Sequence, residues 1–134
     1  MTPRPPFRVT LPWAVVCPDN QRHGLLQRGR GGPKRIGLTG KYRRALEYAS
    51  MAAMAGKMGY EPFSDPVVLT IMLHEPNYRR RDLGNFVKLI SDALQGSAYH
   101  DDHQIHDLHV LRGTYDKSRP RADIEVKPLI LPPK

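Results

Sequence analysis

Apolar and polar residues alternate along Phe7-Arg8-Val9-Thr10-Leu11, the period-two pattern of a strand with one buried face. Pro12 and Pro18 bound a short extended piece that includes Trp13, and Asp19-Asn20 marks a turn. Residues 41–58 change to a helical period: Tyr42, Ala45, Leu46, Ala49, Ala53 and Met54 form one apolar stripe. Thr39 is placed to cap that helix and Gly59 to stop it. Residues 66–74 are nearly all apolar and rich in β-branched side chains, which predicts a central strand. A second helix follows over 82–94. At about 100° per residue, Leu83, Phe86, Val87, Ile90 and Leu94 share one face, opposite Asn85, Lys88 and Asp92. Asp82 stands at its start, where a carboxylate suits the helix dipole. Residues 105–114 contain a further strand, and Ala122-Asp123-Ile124-Glu125-Val126 alternates as its antiparallel hairpin partner. The pattern predicts an α+β fold, a mixed sheet of about four strands against two helices, in the order β-loop-α-β-α-β-β.

Two stretches fall outside this pattern. Residues 21–40 carry Gly24, Gly29, Gly31, Gly32, Gly37 and Gly40 and read as a long loop. Residues 127–134 form a proline-rich tail. The 134 residues fit one domain, and a hydrophobic content of 40% places it among globular chains rather than disordered ones. Cys17 is the sole cysteine, which rules out an intrachain disulfide and cysteine-based zinc spacing. No apolar run reaches the length of a membrane span, and no apolar signal core follows the N-terminus, so a cytoplasmic protein without membrane association is the expectation.

Charge narrows the choice of partner. Lys and Arg number 21 against 13 Asp and Glu, a net charge of +8 that favours polyanions. Between positions 22 and 44 stand Arg22, Arg28, Arg30, Lys34, Arg35, Lys41, Arg43 and Arg44 with no acidic residue among them. A basic loop of this kind suits phosphate contacts, and equally describes a solvated loop. Arg79-Arg80-Arg81 runs directly into Asp82, and His100-Asp101-Asp102-His103 forms a second acidic knot. Two or three carboxylates are what a hard Mg²⁺ ion takes, and Lys88 can offset charge at a phosphate. Each residue also has a plain structural role: Asp82 as a helix cap, Asp101-Asp102 as a turn, Lys88 in solvent. His100, His103, His106 and His109 recur every third residue, a spacing that does not suit the strand expected there. If the second helix packs on the sheet, its ends lie apart, and the following loop must return for Asp82 and Asp102 to meet.

Taken together, Arg80-Arg81-Asp82-Leu83-x-Asn85-x-x-Lys88-x-x-x-Asp92-Ala93-Leu94, followed by Asp101-Asp102-x-Gln104-Ile105, resembles the signature of the RusA family of Holliday-junction resolvases. Leu11-Pro12-Trp13 and Asn20-x-Arg22 resemble its N-terminal part, and the likeness runs over residues 9–126 in order and spacing. The resemblance implies a small homodimeric nuclease, phage or prophage encoded, that cuts four-way DNA junctions symmetrically with Mg²⁺, Mn²⁺ being the alternative. Carried over by position, Asp82 matches the first catalytic aspartate and Asp102 the last, with Asp101 its acidic neighbour. Lys88 matches the active-site lysine and Asn85 the asparagine. Arg79, Arg80, Arg81, Asn85, Asn20, Arg22, Arg28, Arg30, Lys34 and Arg35 then become the DNA-binding set. One position departs: the family's Asp-Leu-Asp-Asn reads Asp82-Leu83-Gly84-Asn85 here, so one carboxylate is missing.

Gly84 has no local justification, since glycine in a helix costs up to about 1 kcal/mol against alanine. It is a natural divergence in which Asp101, Asp92 or a histidine helps hold metal, or an inactivating change, or the mark of a protein that binds junctions without cutting. Three functions follow: a Mg²⁺-dependent junction endonuclease of recombination and repair, attenuated by the missing ligand; a silent junction-binding protein; and a general basic nucleic-acid-binding module with structural carboxylates.

Overall fold

The computed structural model of the chain describes residues 4–16, 23–27, 34–38 and 40–130. Strand β1 (Phe7–Pro12) leads into a one-turn helix α1 (Trp13–Val16). Strands β2 (His23–Gln27) and β3 (Lys34–Leu38) form a separate antiparallel pair. Helix α2 (Gly40–Gly56), strand β4 (Val67–His74), helix α3 (Val87–Ala93), strand β5 (Ile105–Arg112) and strand β6 (Arg121–Pro128) complete the order. The main sheet runs β1-β6-β4-β5, with β4 antiparallel to β6 and parallel to β5. This is the mixed four-stranded α+β arrangement that the pattern predicts.

Alternation decides which way each strand faces. Phe7 and Leu11 of β1, Ala122, Ile124 and Val126 of β6, and Leu69, Ile71 and Leu73 of β4 are all buried. Their in-between neighbours Thr10, Asp123, Glu125, Thr70 and Met72 are half-buried or exposed. Those positions carry ion pairs on the outer face, such as Arg8–Glu125 at 3.0 Å. Helix α2 buries Tyr42, Ala45, Ala49 and Ala53, and the small side chains at four-residue spacing let it lie close to its neighbours. It ends as its sequence predicts, with Met58 at φ 53° and Gly59 at φ 80° reversing the chain.

Five expectations change. Trp13–Val16 is helical rather than extended: one turn buries both Trp13 and Val16, and that burial outweighs the β-preference of Val15 and Val16. The 21–40 segment contains β2 and β3, with Gly24 opposite Gly37. Glycine weakens a strand without forbidding a two-stranded ribbon. β5 and β6 are not a hairpin pair, because β6 inserts between β1 and β4. Alternation sets a strand's face and leaves its neighbour open. Met54 is 52% exposed, outside the stripe. The second helix starts with a 3₁₀ turn, Leu83–Phe86, before α3. Advancing about 120° per residue over that turn rotates the buried face, so Leu89 and Ala93 join Phe86, Ile90 and Leu94 inside while Leu83 and Val87 are half-buried.

Candidate active site

The parallel β4–β5 pair requires a crossover, and α3 supplies it. The chain leaves β4 after His74, reaches Asp82, runs back along α3 and enters β5 after a short 3₁₀ turn, Asp102–Gln104. Asp82 therefore stands by the C-terminal end of β5, where Arg112 Nη2 donates to the Arg81 carbonyl at 2.8 Å. Asp101 and Asp102 stand at the other end, where Gln104 Nε2 donates to the carbonyls of Phe63 and Asp65 at 2.8 and 3.1 Å. The eight residues of β5 run about 23 Å from one of these ends to the other. On this topology the loop does not bring Asp102 back to the end of β5 where Asp82 stands. Among the described residues no three His, Cys, Asp or Glu side chains gather as a metal site.

The individual carboxylates differ in what they already do. Asp82 is exposed, and its side chain makes no capping hydrogen bond to the turn that it precedes. Among the described residues its carboxylate has no hydrogen-bond or ion-pair partner, so it is open to an incoming ligand. Asp101 is committed: it accepts from the His103 backbone N–H at 2.9 Å, and Gln104 Oε1 accepts from the Asp101 N–H at 3.0 Å. This reciprocal capping box fixes the turn. The His103 N–H, followed by the Asp102 side chain, holds the Asp101 carboxyl below its ordinary value. Asp102 is half-buried beside it. Burial of Tyr99, aided by the negative charges of Asp102 and Asp92, pushes the phenol pKa well up; its OH donates to the Ser91 carbonyl at 2.6 Å.

Along α3, Asn85 and Lys88 are exposed, in line with the expected polar face. Lys88 Nζ pairs with Asp92 Oδ1 at 3.1 Å, one turn on. An exposed pair of this kind contributes only about 0.3–0.5 kcal/mol, so Lys88 is easily drawn to a phosphate. Gly84 is exposed, and a Cβ there would meet nothing within 4 Å.

The three arginines separate into two kinds. Arg79 and Arg80 are exposed and have no ion pair among the described residues. The Arg81 side chain is 14% exposed and pairs with Glu75 Oε2 at 3.0 Å. It also donates to Asn77 Oδ1 at 2.9 Å and to the Arg79 carbonyl at 3.2 Å, and lies 5.2 Å from the centre of the Trp13 ring. Arg112 Nε takes the other oxygen of Glu75. One buried carboxylate thus holds two guanidiniums, and these hold the loop that delivers Asp82. Arg81 is engaged in that framework, not presented to solvent as its place in the arginine run suggests. The sequence reading missed Glu75 and Arg112; the available signal was a lone acid closing an otherwise apolar strand. Asn20, Arg22, Arg28 and Arg30 lie outside the described residues, and Lys34 and Arg35 fall on β3.

The family model described as endodeoxyribonuclease RusA matches residues 16–127. The crossover junction endodeoxyribonuclease rusA of Enterobacteria phage 82 is 33% identical over 108 residues, covering 79% of this chain and 82% of its own length. The crossover junction endodeoxyribonuclease RusA of Escherichia coli strain K12 is 34% identical over 107 residues at the same coverage. That of Shigella sonnei strain Ss046 is 31% identical over 113 residues, again at 79% and 82%.

Proposed function

The chain belongs to the RusA family, and from that premise we propose that it is a structure-selective endodeoxyribonuclease that resolves four-way DNA junctions in recombination and repair. The observation that carries the reading is the match of the family model over residues 16–127 to a chain whose Asp82, Asn85 and Lys88 all stand exposed at the start of the crossover helix. In this reading Arg79 and Arg80, together with the basic segment that includes Arg22, Arg28, Arg30, Lys34 and Arg35, hold the phosphates of the junction arms. Asn85 is a further DNA contact. Lys88 exchanges Asp92 for the scissile phosphate and offsets the charge that develops there as water adds and a P–O bond breaks. The DNA substrate assigns the work to the cytoplasm of a bacterial or phage-infected cell. Among the described residues no helix is long and apolar enough to cross a membrane.

Mg²⁺, with Mn²⁺ as the alternative, is the cofactor that the resemblance implies; when bound, such an ion activates water and steadies charge at phosphorus. Among the described residues one chain does not present a fitting donor set: Glu75 and Asp116, at the same end of the sheet as Asp82, are already held in ion pairs by Arg81, Arg112 and Arg121, and Gly84 adds no oxygen there. The proposal therefore includes a homodimer in which Asp82 of one copy lies against Asp101 and Asp102 of the other. Two such sites would also suit paired cuts.

A second reading follows from Gly84: a junction-binding protein that has lost cleavage with its missing carboxylate. The same experiment separates the two. A labelled synthetic four-way junction is incubated with Mg²⁺ or Mn²⁺ and the wild-type, Asp82→Asn or Gly84→Asp protein. Nicking by wild type and none by Asp82→Asn supports the nuclease. No nicking by folded wild type at any metal concentration removes it, and cleavage gained only with Gly84→Asp establishes the silent binder. Equal affinity for junction and linear duplex would remove both in favour of a general nucleic-acid-binding module.

A further inference from the structure

Two loops meet at the end of the sheet where Asp82 stands: residues 75–82, following β4, and residues 113–120, between β5 and β6. Backbone bonds pin them side by side. The Asp116 N–H donates to the Glu75 carbonyl at 2.9 Å and the Gly113 N–H to the Leu73 carbonyl at 2.8 Å. A Cβ on Gly113 would stand 2.8 Å from His74 Cε1 and Met72 Sδ, so any side chain there would have to displace them. The second loop is tied from inside by Asp116, whose carboxylate accepts from Ser118 Oγ at 2.9 Å, the Arg119 N–H at 3.0 Å and Arg121 Nη1 at 2.9 Å.

On the outside of this framework each loop presents a tyrosine. The rings of Tyr78 and Tyr115 are 3.9 Å apart between centroids and inclined at 43°. Tyr78 is 81% exposed and Tyr115 38%. The same loops carry Arg79, Arg80, Lys117 and Arg119, all exposed and, among the described residues, without an ion pair. Two exposed aromatic rings on rigidly tied loops, amid uncompensated cations, match the chemistry of a nucleobase with its flanking phosphates. An acidic protein surface would satisfy the cations but leaves the paired rings without a use. A continuous duplex hides the faces of its bases in the stack, whereas the branch point of a junction interrupts stacking and exposes them.

We propose that Tyr78 and Tyr115 form a stacking site for a nucleobase exposed at the branch point of a DNA junction, held there by phosphate contacts to Arg79, Arg80, Lys117 and Arg119. The site rests on the junction reading above and extends it. It gives this chain a way to distinguish branched from linear DNA next to the residue that the family motif marks as catalytic.

The test uses a four-way junction carrying 2-aminopurine at the branch point, whose fluorescence is quenched by stacking, with a linear duplex of equal length as control. Wild type should quench the probe and prefer the junction. Tyr78→Ala should lose the quench and bind the junction about 5- to 100-fold more weakly, with duplex affinity within about twofold. Tyr78→Phe should keep both properties. The salt dependence of the Ala variant should be unchanged, because no charge is removed. Tyr115→Ala, at a less exposed ring, should act in the same direction. An unquenched probe with wild type, or equal effects of Tyr78→Ala on junction and duplex, overturns the stacking site while leaving the junction reading intact. A wild type with no preference for the junction overturns both.

Discussion

Glu75 and Arg81 are six positions apart and meet in a 3.0 Å ion pair whose carboxylate is 1% exposed. With Arg112 on the other oxygen, the carboxylate ties the loop between β4 and α3 to the end of β5. Removing one partner of a buried pair leaves charge without compensation, which costs about 3–5 kcal/mol. Glu75→Gln should therefore lower unfolding free energy by about 3 kcal/mol or more in urea titration. A loss under about 1 kcal/mol would show that water reaches the two arginines and that the pair resembles a surface bridge.

The arginine run should divide in its response to salt. Each lost phosphate contact flattens the slope of log affinity against log salt by about 0.9. Arg79→Ala and Arg80→Ala should each show that change on a four-way junction, whereas Arg81→Ala, measured on protein with native circular dichroism, should leave the slope unaltered. A full decrement from Arg81→Ala would mean that Arg81 abandons Glu75 for DNA.

Gly84 can accept a side chain. Nothing lies within 4 Å of its Cβ direction, and its φ is not positive. Gly84→Asp should stabilise the fold by about 0.5–1 kcal/mol, through reduced freedom of the unfolded chain and a favourable position in the first turn. If the added carboxylate ligates the proposed metal directly, its effect on metal-dependent cleavage should exceed the roughly 10- to 100-fold typical of outer-shell partners. Stability from urea curves and cleavage against Mn²⁺ concentration check the two parts separately.

The turn between β5 and β6 should be indifferent to pH across the neutral range. The Arg119 N–H, Ser118 hydroxyl and Arg121 guanidinium hold the Asp116 carboxyl down at about 2. A depressed folded pKa means that its stabilisation is complete above the unfolded value of about 3.9 and is lost as pH falls toward 2. A carbon NMR titration should show the Asp116 midpoint near 2. A midpoint close to 3.9, the unperturbed carboxyl value of about that size, would mean the turn is open in solution.

Much of this was readable in the chain. The apolar run of β4, the Tyr42-Ala45-Ala49-Ala53 stripe and the stop at Gly59 all follow from local periodicity and turn chemistry. The motif that starts at Arg80 carried the family. What stayed hidden depends on distance along the chain. Glu75 meets Arg112 across 37 positions, and β6 pairs with β1 across more than 100. No local pattern encodes either choice. The structural role of Asp101 was within reach, since Asp101 and Gln104 have the three-residue spacing of a capping box. The rotated face of α3 was not, because a single 3₁₀ turn changes the period without changing composition.

The crossover that sends Asp82 and Asp102 to opposite ends of β5 has a genetic consequence. If the sites are shared between two copies as proposed, Asp82→Asn and Asp102→Asn are defects in different halves of each site. Either variant alone should be inactive. Mixed and allowed to exchange subunits, they should form a heterodimer with one intact site and one doubly defective one. That species should nick a junction on one strand without resolving it. Complementation between two dead proteins would be the sign that this chain carries two halves of different sites rather than one whole site. Its absence, with exchange demonstrated, would return both carboxylates to a single chain.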